Sequence, residues 1–505
     1  MSQLSWSRFS RWRYWGVLFV ALLAGAAGVA GSYALAGFTP TFVAGPIAGF
    51  MARTLPGEII TFSILVLGDL GEQLNVLLAL GISTLLFAVA ALLGLAVGKR
   101  TRFPVAGFVA AATAGAIAYS ITAAPAPSLA AGVATGVVVL VADVVTRGSL
   151  DDFTTRTVDS SPERRRLLAA IVSSIPLVLG GYALGSRTSA ETTDQSSVGP
   201  EPWVSPDVDA LLAEAADKSL AVSGLESLVS EEFYEVDINS TDPALDADRW
   251  TLTVTGNVER ELTYTYEDII SMDVDHQFVS LRCVGDSLNG RKMDNALWTG
   301  VSIMDLVAPA NPAENCCVMF RAADGFYEEF PLSALQDGFL AIGMNGEPLP
   351  RGHGFPARAL IPGHWGEINV KWLTEIEFLE QEEDGYWEQR GWHGTGPVNT
   401  VAKLHVINDL GDGRREVAGH AYAGVRGIDR VEVSIDGGET WADATLSEPL
   451  PGIDVWRQWH YTYTAPSSQH DVVVRATDGT GALQSREKAS PFPSGPSGWV
   501  TRSVR

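Results

Sequence analysis

The chain has 505 residues, a mean hydropathy of +0.13 and a formal charge of −24. Apolar and strongly acidic character are hard to combine in one globular domain, and dividing the chain resolves them: residues 1–186 carry a net charge of +4 and residues 187–505 a net charge of −28. That acidity excludes a nucleic-acid partner, whose phosphates would be repelled, and fits either solubility in concentrated salt or an ordinary solvated acidic surface.

Residues 1–186 are predicted to be an all-α transmembrane region. Trp15–Gly37, Gln73–Val97, Pro104–Thr122, Pro127–Thr146 and Leu167–Ser186 approach or exceed the roughly 20 apolar residues that cross a bilayer. Residues 42–70 are also apolar but are interrupted by Pro46, Pro56, Gly57, Glu58 and Asp69. They read as a re-entrant or interfacial element, or as a further helix. Arg8, Arg11 and Arg13 precede the first span, Lys99, Arg100 and Arg102 follow the second, and Arg164, Arg165 and Arg166 precede the last. Placing all three clusters in the cytoplasm requires five spans and puts the acidic part outside. The expected location is therefore the cell membrane, multi-pass, with the N-terminus cytoplasmic. The stretch SPERRRLLAAIVSSIPLVLGGYALGSR reads either as a basic flank on a spanning helix or as an internal twin-arginine export signal, an address for proteins exported folded. All eight histidines, His276 to His470, come after the apolar part. Haem iron in a membrane bundle takes histidine ligands as a rule, so no haem is predicted and the spans read as an anchor or a quinone-facing module. Glu58, Asp69, Glu72 and Asp143 sit near predicted span ends and read as interfacial groups.

Residues 187–224 form a polar linker, rich in Ser, Thr and Pro, followed by the helical pattern DVDALLAEAADKSL. WTLTVTG at 250–256 alternates as a strand does, and YEDIISM reads as a helical turn. Mixed strands and short helices without a βαβ repeat predict an α+β domain over 225–395. Cys283 ends an apolar run in LRCVG, with no second cysteine nearby, whereas Cys316 and Cys317 sit in NCCVMFRAAD, a predicted buried strand, and read as small core residues. Over 396–505, the segments VAKLHVIN, EVAGHAYAG, DRVEVSID, QWHYTYTA and DVVVRATD alternate between turns such as DLGDG, DGGE and DGTG. This spacing predicts an immunoglobulin-like β-sandwich.

An ordered set of motifs resembles the sulfite oxidase family of molybdopterin-dependent oxidoreductases. It comprises FYEVDINSTDP (233–243), LRCVG (281–285), ALWTGVSIMDL (296–306), DGFYEEFPL (324–332), the long stretch 340–378, YWEQRGW (386–392) and DRVEVSIDGGETW (429–441). The resemblance implies a molybdenum–molybdopterin cofactor whose metal is held by Cys283, a soft thiolate donor suited to a redox metal. Arg282, beside it, is expected to favour the ionised sulfur. The same resemblance implies pterin contacts from Tyr234, Glu235, His353, Arg358, Asn369, Val370 and Lys371, the lysine and adjacent N–H groups suiting a phosphate. Arg282 and Arg358, with Arg291 or Lys292, are expected to bias the pocket toward an oxyanion.

The chain also departs from its family. Glu235, Val236, Asp237 and Ile238 stand where sulfite oxidases read roughly VRNH, Ile342 replaces an active-site tyrosine, and Glu231 or Glu232 replaces the asparagine of the methionine sulfoxide reductase branch. The expectation is a membrane-anchored enzyme of two-electron oxygen-atom transfer on a small sulfur oxyanion or an S- or N-oxide. A sulfoxide-reductase-like enzyme and a cofactor-free adhesion ectodomain are the alternatives. Expected partners are a small-molecule substrate, an external electron carrier (cytochrome, copper protein or quinone), the membrane and a second copy of the chain in a homodimer.

Overall fold

The first apolar stretch contains no proline, and it forms one uninterrupted helix, α1, over Leu4–Ala36. The structure is a computed structural model, which describes residues 4–101, 103–147, 162–191, 201–313 and 316–505. Helices α2 (Ala44–Thr54), α3 (Gly57–Phe62), α4 (Asp69–Gly98), α5 (Ala106–Thr122), α6 (Pro125–Arg147) and α7 (Pro162–Glu191) complete the helical part. Four of them, α1, α4, α6 and α7, contain segments long and apolar enough to cross a membrane. The other expected span, α5, is apolar but has only 17 residues. Of the stretch expected to be a linker, residues 187–191 continue α7 and residues 192–200 lie outside the described residues, as does Arg102 of the second basic cluster.

Residues 42–70 form two helices rather than one, because Pro56 disfavours helical backbone at the residue before it. Leu55 is extended there, at φ −66° and ψ 142°. After the break, α3 passes into a single π turn, Ser63–Leu67.

The described residues divide into two compact units. One is drawn from Met1–Leu55, Gly68–Gln195 and Asp237–Ala244, the other from Pro56–Leu67, Ser196–Val236 and Leu245–Arg505. In the first unit helices meet through small residues, which let their backbones approach closely. Ala106, Ala110, Ala114 and Ala118 of α5, spaced one turn apart, are all buried. A Cβ on Gly132 of α6 would stand 2.5 Å from the Ala111 carbonyl oxygen, and one on Gly107 would stand 2.7 Å from that of Gly136. The short segment Asp237–Ala244 joins this unit, with Asn239 accepting from Arg53 and Ser240 from Asn75.

The second unit opens with α8 (Pro206–Lys218), capped by the Ser205 hydroxyl accepting from the Val208 N–H, with proline at its first position. In chain order its first ten strands are Thr251–Gly256 (β1), Leu262–Thr265 (β2), Asp275–Arg282 (β3), Met293–Ser302 (β4), Cys317–Ala322 (β5), Tyr327–Pro331 (β6), Phe339–Met344 (β7), Glu347–Pro348 (β8), Arg358–Leu360 (β9) and Leu373–Leu379 (β10). They make two sheets, ordered β2-β1-β10-β5-β6 and β3-β4-β7-β8, with β9 on β7. Only β1 and β10 pair in parallel, as an α+β domain allows. Val318, Phe320, Ile376 and Phe378 of the first sheet share a core with Val301, Leu340 and Ile342 of the second. Cys316 and Cys317, expected as separate core residues, are joined in a disulfide, with Cys317 buried and Cys316 half-buried.

The remaining strands form a sandwich. Val401–Ala402 (β11), Val406–Gly411 (β12), Arg414–Tyr422 (β13), Thr445–Leu446 (β16) and Arg457–Thr464 (β17) make one sheet. Ile428–Ser434 (β14), Ala442–Asp443 (β15), His470–Asp478 (β18) and Val500–Val504 (β19) make the other. Alternate residues of both, among them Val417, Ala421, Val431, Val433, Trp459, Val472 and Val474, fill the space between them.

Gly132→Val is expected to lower the thermal stability of the detergent-solubilised chain by about 1–3 kcal/mol through overpacking. Gly180→Val, where a Cβ meets nothing within 4 Å, is the control and should show no such loss.

Candidate functional site

Strand β3 is covered on both faces, and its alternation decides where the site's side chains go. Val279 and Leu281 point into one core cluster, while Phe278 points into another. Ser280 and Arg282 therefore share the Phe278 side. There the Ser280 N–H donates to the Asp454 carbonyl oxygen at 2.8 Å, and Arg282 Nη1 donates to the Asn399 carbonyl oxygen at 2.8 Å. Cys283 is the next residue, where the strand ends.

Arg282 is fully buried, its guanidinium 4.7 Å from the centre of the Trp365 ring. Its Nε and Nη2 have no hydrogen-bond partner among the described residues. Burial lowers its pKa to about 10, so the group stays cationic at neutral pH. An unsatisfied buried donor on a charged group costs on the order of 1–3 kcal/mol or more, so these two nitrogens are poised for an acceptor. Cys283 is half-buried and free. Burial raises its thiol pKa, and the charge of Lys292 opposes that rise. Arg291, by contrast, is exposed.

The loop after the thiol is tightly held. The Cys283 N–H donates to the Lys292 carbonyl oxygen at 3.1 Å, and the Lys292 N–H to Asp286 Oδ2 at 3.1 Å. Asp286 is in turn paired with the fully buried Lys403 of the sandwich, at 3.0 Å. Lys403 also donates to the Gly290 carbonyl oxygen at 2.9 Å.

Tyr234 reaches this group from the segment before β1. Its N–H donates to Asp294 Oδ2 at 2.6 Å, and its hydroxyl would lie 3.0 Å from a Cβ on Gly366. The same Cβ would stand 3.3 Å from the Arg282 carbonyl oxygen, so glycine at 366 keeps open the ground between Tyr234 and Arg282. Burial raises the Tyr234 hydroxyl pKa first, and the Cys283 charge raises it further. Asp294 is pushed up to about 7, mainly by burial.

A second cluster holds Arg358, His353, Asn369, Val370 and Lys371. Arg358 Nη2 donates to the Asn369 carbonyl oxygen at 2.9 Å and Nη1 to that of His353 at 3.3 Å, over the Trp298 ring. Lys371 Nζ donates to the Gly352 carbonyl oxygen at 2.7 Å, and the Val370 carbonyl oxygen accepts from the Ala359 N–H at 2.8 Å. Gly354, at φ +113°, lets Arg358 and Lys371 close in, since a Cβ there would be 3.0 Å from each of theirs. Burial, with Arg358 and Lys371, drives the His353 pKa to about 3. The ring is therefore neutral, and its 3.6 Å approach to Glu235 is not an ion pair. Glu235 lies at the exposed rim. Phe233 stacks on Tyr234 and meets His353 edge-on, which joins the two clusters. Ile342 packs in the core of the two sheets, and Glu231 and Glu232 are exposed.

Sequence reasoning assigned no role to three features of this region. Lys403 is one, because its partner lies 117 residues away. Tyr422 is another: its hydroxyl lies 2.6 Å from Asp454 Oδ1 and 2.9 Å from the Ser280 carbonyl oxygen. The third is a run of carboxyl groups. Glu367 is pushed up to about 8 by burial and by Glu388, and its charge is felt at Cys283. Glu388 in turn faces the fully buried Glu328, an arrangement that requires one of the two to keep its proton. The acid within HWGEINVKW was the available signal for Glu367.

Two family models match in tandem: the oxidoreductase molybdopterin binding domain over residues 239–387 and the Mo-co oxidoreductase dimerisation domain over residues 398–490. From residue 239 onward the chain is thus similar to the molybdopterin oxidoreductases of the sulfite oxidase family. Rat mitochondrial sulfite oxidase is 28% identical over 296 residues, covering 48% of this chain and 54% of the relative. The NADH nitrate reductase of Solanum lycopersicum is 26% identical over 304 residues, covering 46% and 33%. The chain thus spans about half the length, or less, of these curated relatives. The sulfane dehydrogenase SoxCD from Paracoccus pantotrophus aligns with a TM-score of 0.48 at 21% identity, over 62% of this chain and 93% of that one. The residues fit the family's cofactor on three counts: a soft sulfur at Cys283, buried Arg282 nitrogens that lack an acceptor, and glycines at 285, 354 and 366 where a side chain would intrude.

Glu367 holds its proton to about 8 in the folded protein, against 4.5 ordinarily. As pH rises through that interval the unfolded chain loses the proton first, so stability is full below 4.5 and declines toward pH 8. Glu367→Gln removes this penalty. Thermal unfolding of cofactor-free protein should show a larger gain in Tm at about pH 8 than at about pH 5.

Proposed function

We propose that the protein is a molybdenum-dependent oxidoreductase acting on a small oxyanion of sulfur or nitrogen, with the metal held by Cys283. The observation that carries this reading is Arg282: a fully buried guanidinium on the residue before the thiol, with two donor nitrogens that have no hydrogen-bond partner among the described residues. When bound, the cofactor supplies two-electron oxygen-atom transfer. The chain's residues do the rest. Arg282 orients an anionic oxygen, while Trp365 and Trp392, both buried, keep water from the surrounding cluster. Asn369, Val370 and Lys371 grip the pterin's polar edge, and Arg358 braces that segment through the Asn369 carbonyl oxygen. Glu367, held protonated near neutral pH by burial, leaves the thiol side of the site without an added negative charge.

The domain boundaries we assign are 225–395 for the molybdopterin-binding part and 396–505 for the sandwich, through which two copies would pair as the matched family model's name indicates. The apolar helices anchor the enzyme as a multi-pass membrane protein with its catalytic part outside. Folded export through Arg164–Arg166 suits a domain that must acquire its cofactor first. Electrons pass to a separate carrier. A second reading, reduction of a sulfoxide, draws on the same scaffold and on the loss of the VRNH pattern at 235–238.

Purified full-length protein is expected to contain stoichiometric molybdenum, and Cys283→Ser should lose it. Metal-free parent protein would instead support a cofactor-free binding module. Arg358→Met is expected to reduce molybdenum content or turnover by about tenfold or more, the usual cost of removing a partner that orients a site's ligands. Unchanged content and rate would reject its role. Steady-state rates with sulfite, nitrate and methionine sulfoxide choose among the substrates.

A further inference from the structure

The proposed function makes no use of the broken helix pair at residues 42–70. Its second half, Pro56–Leu67, belongs to the unit that contains Cys283, although the chain enters it from α2 and leaves into α4. Two contacts hold it there. A Cβ on Gly57 would stand 3.1 Å from the Arg390 carbonyl oxygen. Ile64, in the π turn, packs on the cluster that contains Val284, Trp365 and Trp392. A Cβ on Gly285 would meet Ile64 Cγ2 at 3.1 Å, the Trp392 ring at 3.6 Å and Cys283 Sγ at 3.8 Å. An isoleucine methyl, an indole edge and the candidate metal-binding sulfur thus close around Gly285 so tightly that even one added carbon would be crowded. Within the π turn Ser63, Ile64 and Leu67 are half-buried, while Phe62, Leu65 and Val66 are exposed. A π turn adds a residue to the helical repeat and so rotates side chains away from the α-helical register, a device frequent at functional sites.

We propose that Ile64 is a specificity-determining residue of the active site. With Trp392 it forms a wall that packs against the Gly285 side of the Cys283 sulfur and limits the bulk of what can approach the sulfur from that side. The wall is supplied by the apolar half of the chain and reaches the thiol from outside the matched domains. The identity of the substrate rests on the proposed function, whereas the wall rests on packing alone, so the two can fail separately.

Cys283 is the one cysteine outside the Cys316–Cys317 disulfide, which makes it a clean reporter. The full chain, prepared without cofactor in detergent, is alkylated with iodoacetamide and, separately, with N-pyrenylmaleimide. The readout is the ratio of the two rates. Ile64→Ala is expected to raise the bulky reagent's relative rate about tenfold, and Ile64→Trp to lower it similarly, the scale on which a pocket discriminates by a methylene or two. Leu65→Ala, on the exposed side, should leave the ratio unchanged. In cofactor-loaded enzyme, Ile64→Ala should shift kcat/KM toward larger S-oxides, while Ile64→Trp should raise KM for every substrate. A ratio within twofold of the parent for both Ile64 variants would overturn the proposal, as would an equal acceleration of both reagents, which signals general loosening.

Discussion

A buried charge pair, Lys403 with Asp286, is the constraint on which the candidate site depends. Neither partner can return to water without opening the protein, and removing one would strand the other, a loss of about 3–5 kcal/mol. The pair is fully committed: Lys403 also binds the Gly290 carbonyl oxygen, and Asp286 also accepts from the Lys292 N–H. Asn289 adds two more ties, donating to the Leu404 carbonyl oxygen and accepting from the Leu404 N–H. The loop that carries the thiol is therefore stitched to the segment that joins β11 to β12 of the sandwich. A thiol proposed to hold a metal gains from a loop that is tied down at several points.

The charges around that loop are arranged by sign and by depth. The cations Arg282 and Lys403 are fully buried near the thiol. The acids nearby, Asp294, Glu367 and Asp454, are pushed up to about 7 or 8, each principally by burial. Near neutral pH the interior thus carries fixed positive charge beside carboxyl groups that share their protons. The acidic residues of residues 187–505 thus reach into the interior, where burial favours their protonated form.

The apolar half has two parts that fold differently. Its helices pack through glycine and alanine, leaving large apolar side chains such as Trp15, Phe108 and Val172 exposed on the outside. One short piece, broken from its neighbour by Pro56, folds instead with the soluble half and places Ile64 beside Gly285. Sequence order would not suggest it, since the two residues stand far apart along the chain.

Periodicity was enough to read the elements. Proline-free apolar runs became α1 and α4, Ser205-Pro206 opened α8, and the alternating segments after residue 400 became strands with Gly411, Gly437 and Gly481 at positive φ in the turns between them. Local patterns report these features because they arise from backbone sterics and from which face of an element is apolar. The motif set also pointed to Cys283, Arg358 and the 369–371 segment, the last two of which short-range contacts bring together. Tertiary structure alone decided which charges are buried, which buried donors lack partners, and which distant side chains meet. Lys403 and Asp286, Tyr422 and Asp454, and Ile64 and Gly285 are pairs of this kind. Their contacts depend on how whole sheets and segments stack, and burial and electrostatics are set by that stacking rather than by neighbours along the chain.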